Sequence, residues 1–321
     1  MQRLDGNTPM NDHSTPENFA DRLAAAVRSR GTPLIVGLDP RPDQLPAPLQ
    51  CASGPARPEE LAESYRRFCC GVVDAVAPLV PAVKPQAAFF EQLGPHGMVA
   101  LAAVIRYARR NSLLVIFDGK RNDIGSTAAA YAEGILGGDA DDGWCADALT
   151  VSPYLGGDSL EPFVRTCERR AAGIFVLVKT SNPGGGMFQD LVAEGRPVYR
   201  HVAEYVAREA AQLRGKCGYS PVGAVVGATY PDQLAELRLA LPHSWLLVPG
   251  FGSQGGSARD VAHAFDPKGL GALINSSRAV IFAYQRDEYR QRYQPTDWQR
   301  AVEDAANDAI EELRAEGPVL R

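Results

Sequence analysis

The chain has 321 residues, 45% of them apolar and 22% charged, with 31 Gly, 24 Pro and a formal charge of −5. This composition has ample material for a hydrophobic core, and it excludes a disordered chain, a fibrous repeat and a disulfide-stapled miniprotein. The acidic balance argues against nucleic acid as a bulk partner, although a few focused cations can still hold one small anion.

In chain order, the first segment, MQRLDGNTPMNDHSTPE, has no apolar stretch of the kind a secretory leader needs. No apolar run anywhere approaches the roughly 20 residues of a membrane span, so a cytoplasmic protein is expected by default. A polar tail over residues 1–15 is expected to precede a single domain over 16–321. The segment TPENFADRLAAAVRSRG reads as a helix: Thr15 can cap it, Pro16 suits its first turn, Phe19, Leu23 and Val27 form a stripe, and Gly31 ends it.

Eight short apolar runs follow: LIVGLD (34–39), VPAVK (80–84), LLVIFD (113–118), ADALTV (146–151), IFVLVK (174–179), VGAVVG (222–227), WLLVPG (245–250) and LGALIN (270–275). They are nearly continuous rather than alternating, which marks strands buried on both faces of a parallel sheet. Between them lie segments with helical periodicity, such as EELAESYRRFCCGVVDAVA and RPVYRHVAEYVAREAAQLRG. Eight strand–helix units with no break in composition predict an α/β fold, a (β/α)₈ barrel with an N-terminal helix and a C-terminal helical extension from Trp298 to Arg314. A doubly wound sheet with additions is the alternative. The proline-rich stretch 40–58 cannot be regular helix or strand. It follows the first strand, and so falls at the C-terminal mouth of a barrel, where binding loops sit.

The densest chemical constellation is LLVIFDGKRNDIGSTAAAY. Asp118 and Lys120 are two apart at a strand end, so period-2 geometry points them the same way, and Asp123 follows where the next helix begins. A structural ion pair with a helix cap at Asp123 is one reading. A reactive site is the other, because the first two strands also end in charges, Asp39 and Lys84. Charges at the ends of buried strands are costly unless paired. Two Asp and two Lys from three adjacent strands would form an alternating network that holds ionised groups in place.

VPGFGSQGGS contains Gly250-x-Gly252-x-x-Gly255, formally a dinucleotide fingerprint. It belongs to the seventh strand, however, and no acidic residue lies about 20 positions on to bind a ribose. A phosphate cradle of glycine amides and a helix N-terminus fits better, with Gln254 on one side and Arg278, just past the eighth strand, on the other. A plain turn and a surface salt bridge are the ordinary alternatives. KTSNPGGG after the fifth strand, with Lys179, Thr180, Ser181 and Asn182, can present hydroxyls and amides to a ligand or be a turn alone. The six cysteines (Cys51, Cys69, Cys70, Cys145, Cys167, Cys217) show no CxxC pair and no ligand spacing to histidine, so reduced thiols are expected and structural zinc is not. No GxSxG, HExxH, EF-hand or Walker A pattern is present.

Asp118-x-Lys120-x-x-Asp123 resembles the signature of orotidine 5′-monophosphate decarboxylases, and DGKRNDIGSTA resembles their bacterial long-chain form. GLDP, AVKPQ, TVSPYLGGD, VKTSNPG, VPGFGSQGG and NSSRA occur in the order expected of that family. The resemblance implies a (β/α)₈ barrel that converts orotidine monophosphate to uridine monophosphate with neither metal nor organic cofactor. It further implies that Asp39 contacts the ribose hydroxyls, Lys84 bridges ribose and acidic pair, and Asp118 sits against the substrate carboxylate. Lys120 would stabilise and protonate the C6 carbanion, Ser181 would bind the pyrimidine edge, and Gln254, Gly255 and Arg278 would hold the phosphate. Asp123 and Thr127 would reach into a partner subunit's site, which implies a homodimer. The tails and the 40–58 loop exceed the family's compact pattern, and that loop is a candidate for part of a closure. Two rivals remain at this stage: a metal-dependent keto-sugar-phosphate decarboxylase or aldolase on the same barrel, and a non-catalytic nucleotide-binding barrel.

Overall fold

The computed structural model describes residues 17–50, 57–138, 143–252 and 256–316. All eight apolar runs become parallel strands: β1 (Leu34–Leu38), β2 (Ala82–Pro85), β3 (Leu114–Arg121), β4 (Ala148–Val151), β5 (Gly173–Lys179), β6 (Ser220–Val226), β7 (Ser244–Pro249) and β8 (Ala272–Ser276). Each pairs with its neighbours in sequence, and β8 pairs with β1, closing a barrel. Helices of ten or more residues surround it: α1 (Phe19–Arg30), α2 (Pro58–Val76), α3 (Gly94–Arg110), α4 (Gly125–Ile135), α5 (Gly157–Arg170), α6 (Val198–Gln212), α7 (Pro231–Ala240) and α8 (Trp298–Glu316). The (β/α)₈ architecture and the final outer helix agree with the sequence. None of the described helices is long and apolar enough to cross a membrane. The five described cysteines are free thiols, and Cys51 lies outside the described residues.

α1 departs from expectation at its start. The cap is Asn18, whose Oδ1 accepts from the Ala20 amide at 2.8 Å, and Thr15 and Pro16 lie outside the described residues. The other end is as expected, since Gly31 turns left-handed (φ +65°) and donates to the carbonyls of Val27 and Arg28. The stripe of Phe19, Leu23 and Val27 is buried with Ile35, Phe175 and Trp245, so α1 plugs the N-terminal mouth of the barrel. Phe19 meets Phe175 edge-on, with ring centroids 6.3 Å apart. Its ring fills the space a side chain on Gly173 would need: a Cβ there would lie 2.2 Å from it.

This plug fixes the polarity of the interior. Ala82, Ile116 and Ala148 belong to the same apolar layer. With a period of two, the next inward positions on those strands are Lys84, Asp118 and Thr150, each at most 5% exposed. The barrel is therefore greasy and sealed below, and charged at its C-terminal end.

The proline-rich stretch is more ordered than expected where it is described. Pro42–Gln44 and Ala47–Leu49 form single 3₁₀ turns, and Leu45 and Leu49 are buried. The Gln44 carbonyl accepts from Tyr284 Oη at 2.5 Å and Gln285 Nε2 at 3.0 Å. Gln44 is thus tied to the segment after β8, and residues 51–56 of the loop lie outside the described residues.

Candidate active site

Asp118 is the centre of the charged layer. Its Oδ2 accepts from Lys84 Nζ at 2.5 Å and Gln86 Nε2 at 3.0 Å, and its Oδ1 from Lys120 Nζ at 2.7 Å and Thr150 Oγ1 at 2.9 Å. A carboxylate has about four lone-pair sites, and all four are used. Burial alone would raise the Asp118 carboxyl, but the Lys84 and Lys120 ammoniums outweigh it and hold it well below the usual carboxylate range. Burial likewise disfavours the Lys84 ammonium, and Asp118, followed by Asp39, more than compensates, raising it above an ordinary lysine. Of the four charges expected to meet from three strand ends, Lys84, Asp118 and Lys120 are ion-paired, and Asp39 acts on Lys84 through its charge alone.

The pairing of Asp118 and Lys120 does not come from simple alternation. β3 runs three residues past the expected end, and its register against β4 breaks: Phe117 pairs with Leu149, but Arg121 pairs with Val151. Four steps on β3 match two on β4, a bulge of the kind that re-aims side chains next to active sites. Lys120 sits in it with φ +45°, left-handed for a residue with a side chain. Gly119 is required beside it, because a Cβ there would lie 2.5 Å from the Phe117 ring.

A cavity of about 200 Å³ opens on this network. Lys84, Asp118, Lys120 and Thr150 make one wall, Leu177, Val225 and Leu247 an apolar one, and Thr180, Ser181 and Asn182 a polar rim. Ser181, expected at a pyrimidine edge, thus lines the cavity. Asp39 stands at the end of β1, close enough to Lys84 to raise it, and its Oδ1 is buried with no partner among the described residues. Such an orphan acceptor suits a ligand hydroxyl.

Lys179 does not face the ligand side. It is 2% exposed, paired with Asp190, and stacked 5.4 Å from the centroid of Tyr199 and 5.0 Å from that of Tyr230. It fastens the turn from behind, while Gln189 accepts from the Thr180 amide at 3.0 Å and donates to the Thr180 hydroxyl at 2.8 Å.

Arg278 is exposed at the start of the turn Arg278–Ile281, just past β8. Gly252 of the β7 loop faces the same turn, since a Cβ on it would lie 3.4 Å from the Ala279 side chain. The two loops are therefore neighbours, as an anion site between them requires. Gln254 and Gly255 lie outside the described residues. The helix after the β7 loop, Ala258–Ala262, has five residues and opens with a capping box in which the Asp260 carboxylate accepts from the Ser257 amide at 2.8 Å and hydroxyl at 2.7 Å.

Asp123 and Thr127 do not line this cavity. α4 begins at Gly125 with Ile124 in the cap position, so Asp123 is not its cap; Asp123 Oδ1 accepts from the Ile124 amide at 2.8 Å. Thr127 is exposed, and so is Ile124, at 57%. On the loops after β4 and β5, Tyr154, Leu155, Met187, Phe188, Leu191 and Val192 are exposed apolar side chains, and the Tyr154 and Phe188 rings lie 6.4 Å apart.

Gln86 and Thr150 were not foreseen. Gln86 lies inside AVKPQ, and Thr150 is one inward step beyond Ala148, so period-2 counting on β4 was the available signal. No group of three or more His, Cys, Asp or Glu poised to hold a metal occurs among the described residues.

The sequence model of the orotidine 5′-phosphate decarboxylase / HUMPS family matches residues 32–293. The orotidine 5′-phosphate decarboxylase of Rhodopirellula baltica is 58% identical over 298 residues, covering 92% of this chain and 99% of the relative. That of Caldicellulosiruptor bescii is 40% identical over 310 residues, covering 93% and 98%. The solved OMP decarboxylase of Leishmania donovani superposes with a TM-score of 0.70 at 33% identity, covering 93% of this chain and 98% of that one.

Proposed function

The chain belongs to the orotidine 5′-phosphate decarboxylase / HUMPS family and decarboxylates orotidine 5′-monophosphate to uridine 5′-monophosphate in pyrimidine biosynthesis; we propose that Lys120, gripped by Asp118 on the cavity wall, carries the chemical step. The observation that carries this reading is the saturation of Asp118. Its four donors keep the carboxylate ionised and immobile, so the Lys120 ammonium is aimed into the cavity before substrate arrives.

In the reaction the bond from C6 to the carboxylate breaks and CO₂ leaves. The electron pair stays on C6, and a proton from the Lys120 ammonium restores the neutral ring. No carbonyl is placed to accept that pair, so a fixed cation at C6 stabilises the transition state more than the ground state. Asp118 lies where the substrate carboxylate must approach, and the repulsion falls away as CO₂ departs. The orphan oxygen of Asp39 and the ammonium of Lys84 suit the ribose hydroxyls, and Ser181 suits the pyrimidine edge. Arg278 is assigned to the phosphate, together with Gln254 and Gly255 from the sequence.

A metal-bound enediolate is not favoured, because Asp118 has no lone pair left to coordinate an ion without breaking its grip on a lysine. Asp123 and Thr127, which do not line their own chain's cavity, are assigned to a partner subunit's cavity in a homodimer.

The test is the ultraviolet absorbance of orotidine monophosphate incubated with enzyme in excess chelator. The wild type is expected to consume it unimpeded, whereas Lys120→Ala, melting like the wild type, loses at least about 10³-fold in kcat. Near-normal kcat in that variant, or activity lost to the chelator, would overturn the reading.

A further inference from the structure

We propose that Thr150 is a positioning residue for decarboxylation, setting through its hydroxyl both the backbone of Lys120 and the carboxylate of Asp118. The inference rests on the assignment of Lys120 as the reacting group. The register of β3 against β4 breaks between Phe117 and Arg121, and within that break the Lys120 amide donates to Thr150 Oγ1 at 3.0 Å, a side-chain bond in place of a ladder bond. The same hydroxyl donates its proton to Asp118 Oδ1 at 2.9 Å, the oxygen that also holds Lys120 Nζ. One buried group, 1% exposed, thus grips the reactive lysine at its amide and at the carboxylate that aims its ammonium.

The need for such a grip is physical. A left-handed residue with a side chain is disfavoured and persists only where its surroundings over-determine it. Lys120, with φ +45°, is in that position, and its side chain is nearly half exposed at the cavity, so packing does not hold it. Without the hydroxyl the bulge can relax and swing Nζ away from C6, while the ribose and phosphate contacts stay where they are. Misplacement of a reacting group by about 1 Å can reduce turnover by about 10².

Thr150→Val keeps the shape and removes the hydroxyl; Thr150→Ser keeps the hydroxyl and removes the methyl group. Thr150→Val is expected to lower kcat by about 10- to 100-fold while KM for orotidine monophosphate and Kd for uridine monophosphate move by less than about threefold. Thr150→Ser is expected to recover kcat to within about threefold of the wild type. Should Thr150→Val not fold, Thr150→Ala against Thr150→Ser poses the same question. Near-normal kcat without the hydroxyl, equal damage from valine and serine, or kcat and KM changing together would overturn the proposal. Lys120→Ala is measured alongside. If it retains turnover, the assignment of Lys120 has failed; if it is dead and Thr150→Val is not, only the role of Thr150 has.

Discussion

Asp118 shows how one side chain can serve stability and chemistry with the same contacts. Asp118→Asn would leave the buried Lys84 ammonium with Asp39 as its remaining neighbouring carboxylate, and breaking a buried pair in this way costs about 3 kcal/mol near neutral pH. The pH dependence follows from the lowered carboxyl. The unfolded chain takes up a proton near pH 4 while the folded one does not, so the contribution of Asp118 is full above about pH 5 and is lost as pH falls through the unfolded value toward the folded one. Urea denaturation of wild type and Asp118→Asn is therefore expected to show a gap at pH 7 that narrows at pH 3.5, and a pH-independent gap would contradict the network. The sequence displayed these residues because Asp, Lys, Asp and Lys closing apolar strands are conspicuous. It did not display how they meet. A period of two aims Asp118 and Lys120 together only in an unbroken strand, whereas here a bulge and a left-handed lysine do so. Period-two counting on the next strand would have turned Thr150 inward, but nothing in LTVS says that its hydroxyl would meet the Lys120 amide across a broken register.

At the scale of elements, the eight strands were legible because residues buried on both faces leave an unbroken apolar signature, and their ends fell within a few residues of expectation. The turns were harder, because glycine-rich segments report permission to bend rather than direction. KTSNPGGG places Lys179 next to the ligand-facing residues, and plain alternation would aim it inward like Leu177, but the register of β5 against β6 breaks between Leu177 and Lys179, and the lysine pairs with Asp190, anchoring the returning segment. Likewise the seventh loop offers a helix start that its own Asp260 already caps. The β5 turn can be tested as a unit. Asp190→Asn leaves the Lys179 ammonium buried against two tyrosine rings with its ion-pair partner neutralised. Because Asp190 is itself half exposed, the expected loss of stability is about 2 kcal/mol, below that of a fully buried pair. Its binding signature is selective: affinity for uridine monophosphate falls, since the turn carries Ser181, whereas affinity for ribose 5-phosphate stays within about twofold. Equal weakening of both ligands would place the effect outside the turn.

For the whole molecule, the barrel's two ends have opposite tasks. α1 seals the N-terminal mouth with aromatic packing, and the open end combines the charged cavity with an apolar rim on the loops after β3, β4 and β5. A rim of exposed Tyr, Phe, Met and Leu beside a catalytic mouth is the kind of surface a second copy would cover, and Asp123 and Thr127, on the neighbouring loop after β3 and on α4, do not line their own cavity. If Asp123 works in the partner's site, activity belongs to pairs of chains. Asp123→Asn and Lys120→Ala should each be nearly inactive alone. Unfolded and refolded together, they form mixed dimers in which one cavity has an intact Lys120 on its own chain and an intact Asp123 from the other. With random pairing half the dimers are mixed, and each has one intact cavity of two, so about a quarter of wild-type activity returns. Two chains that act alone regain nothing on mixing. A mixture that stays inactive, although sedimentation shows dimers, would put Asp123 outside the partner's site while leaving the interface intact; a mixture of monomers would remove the interface as well.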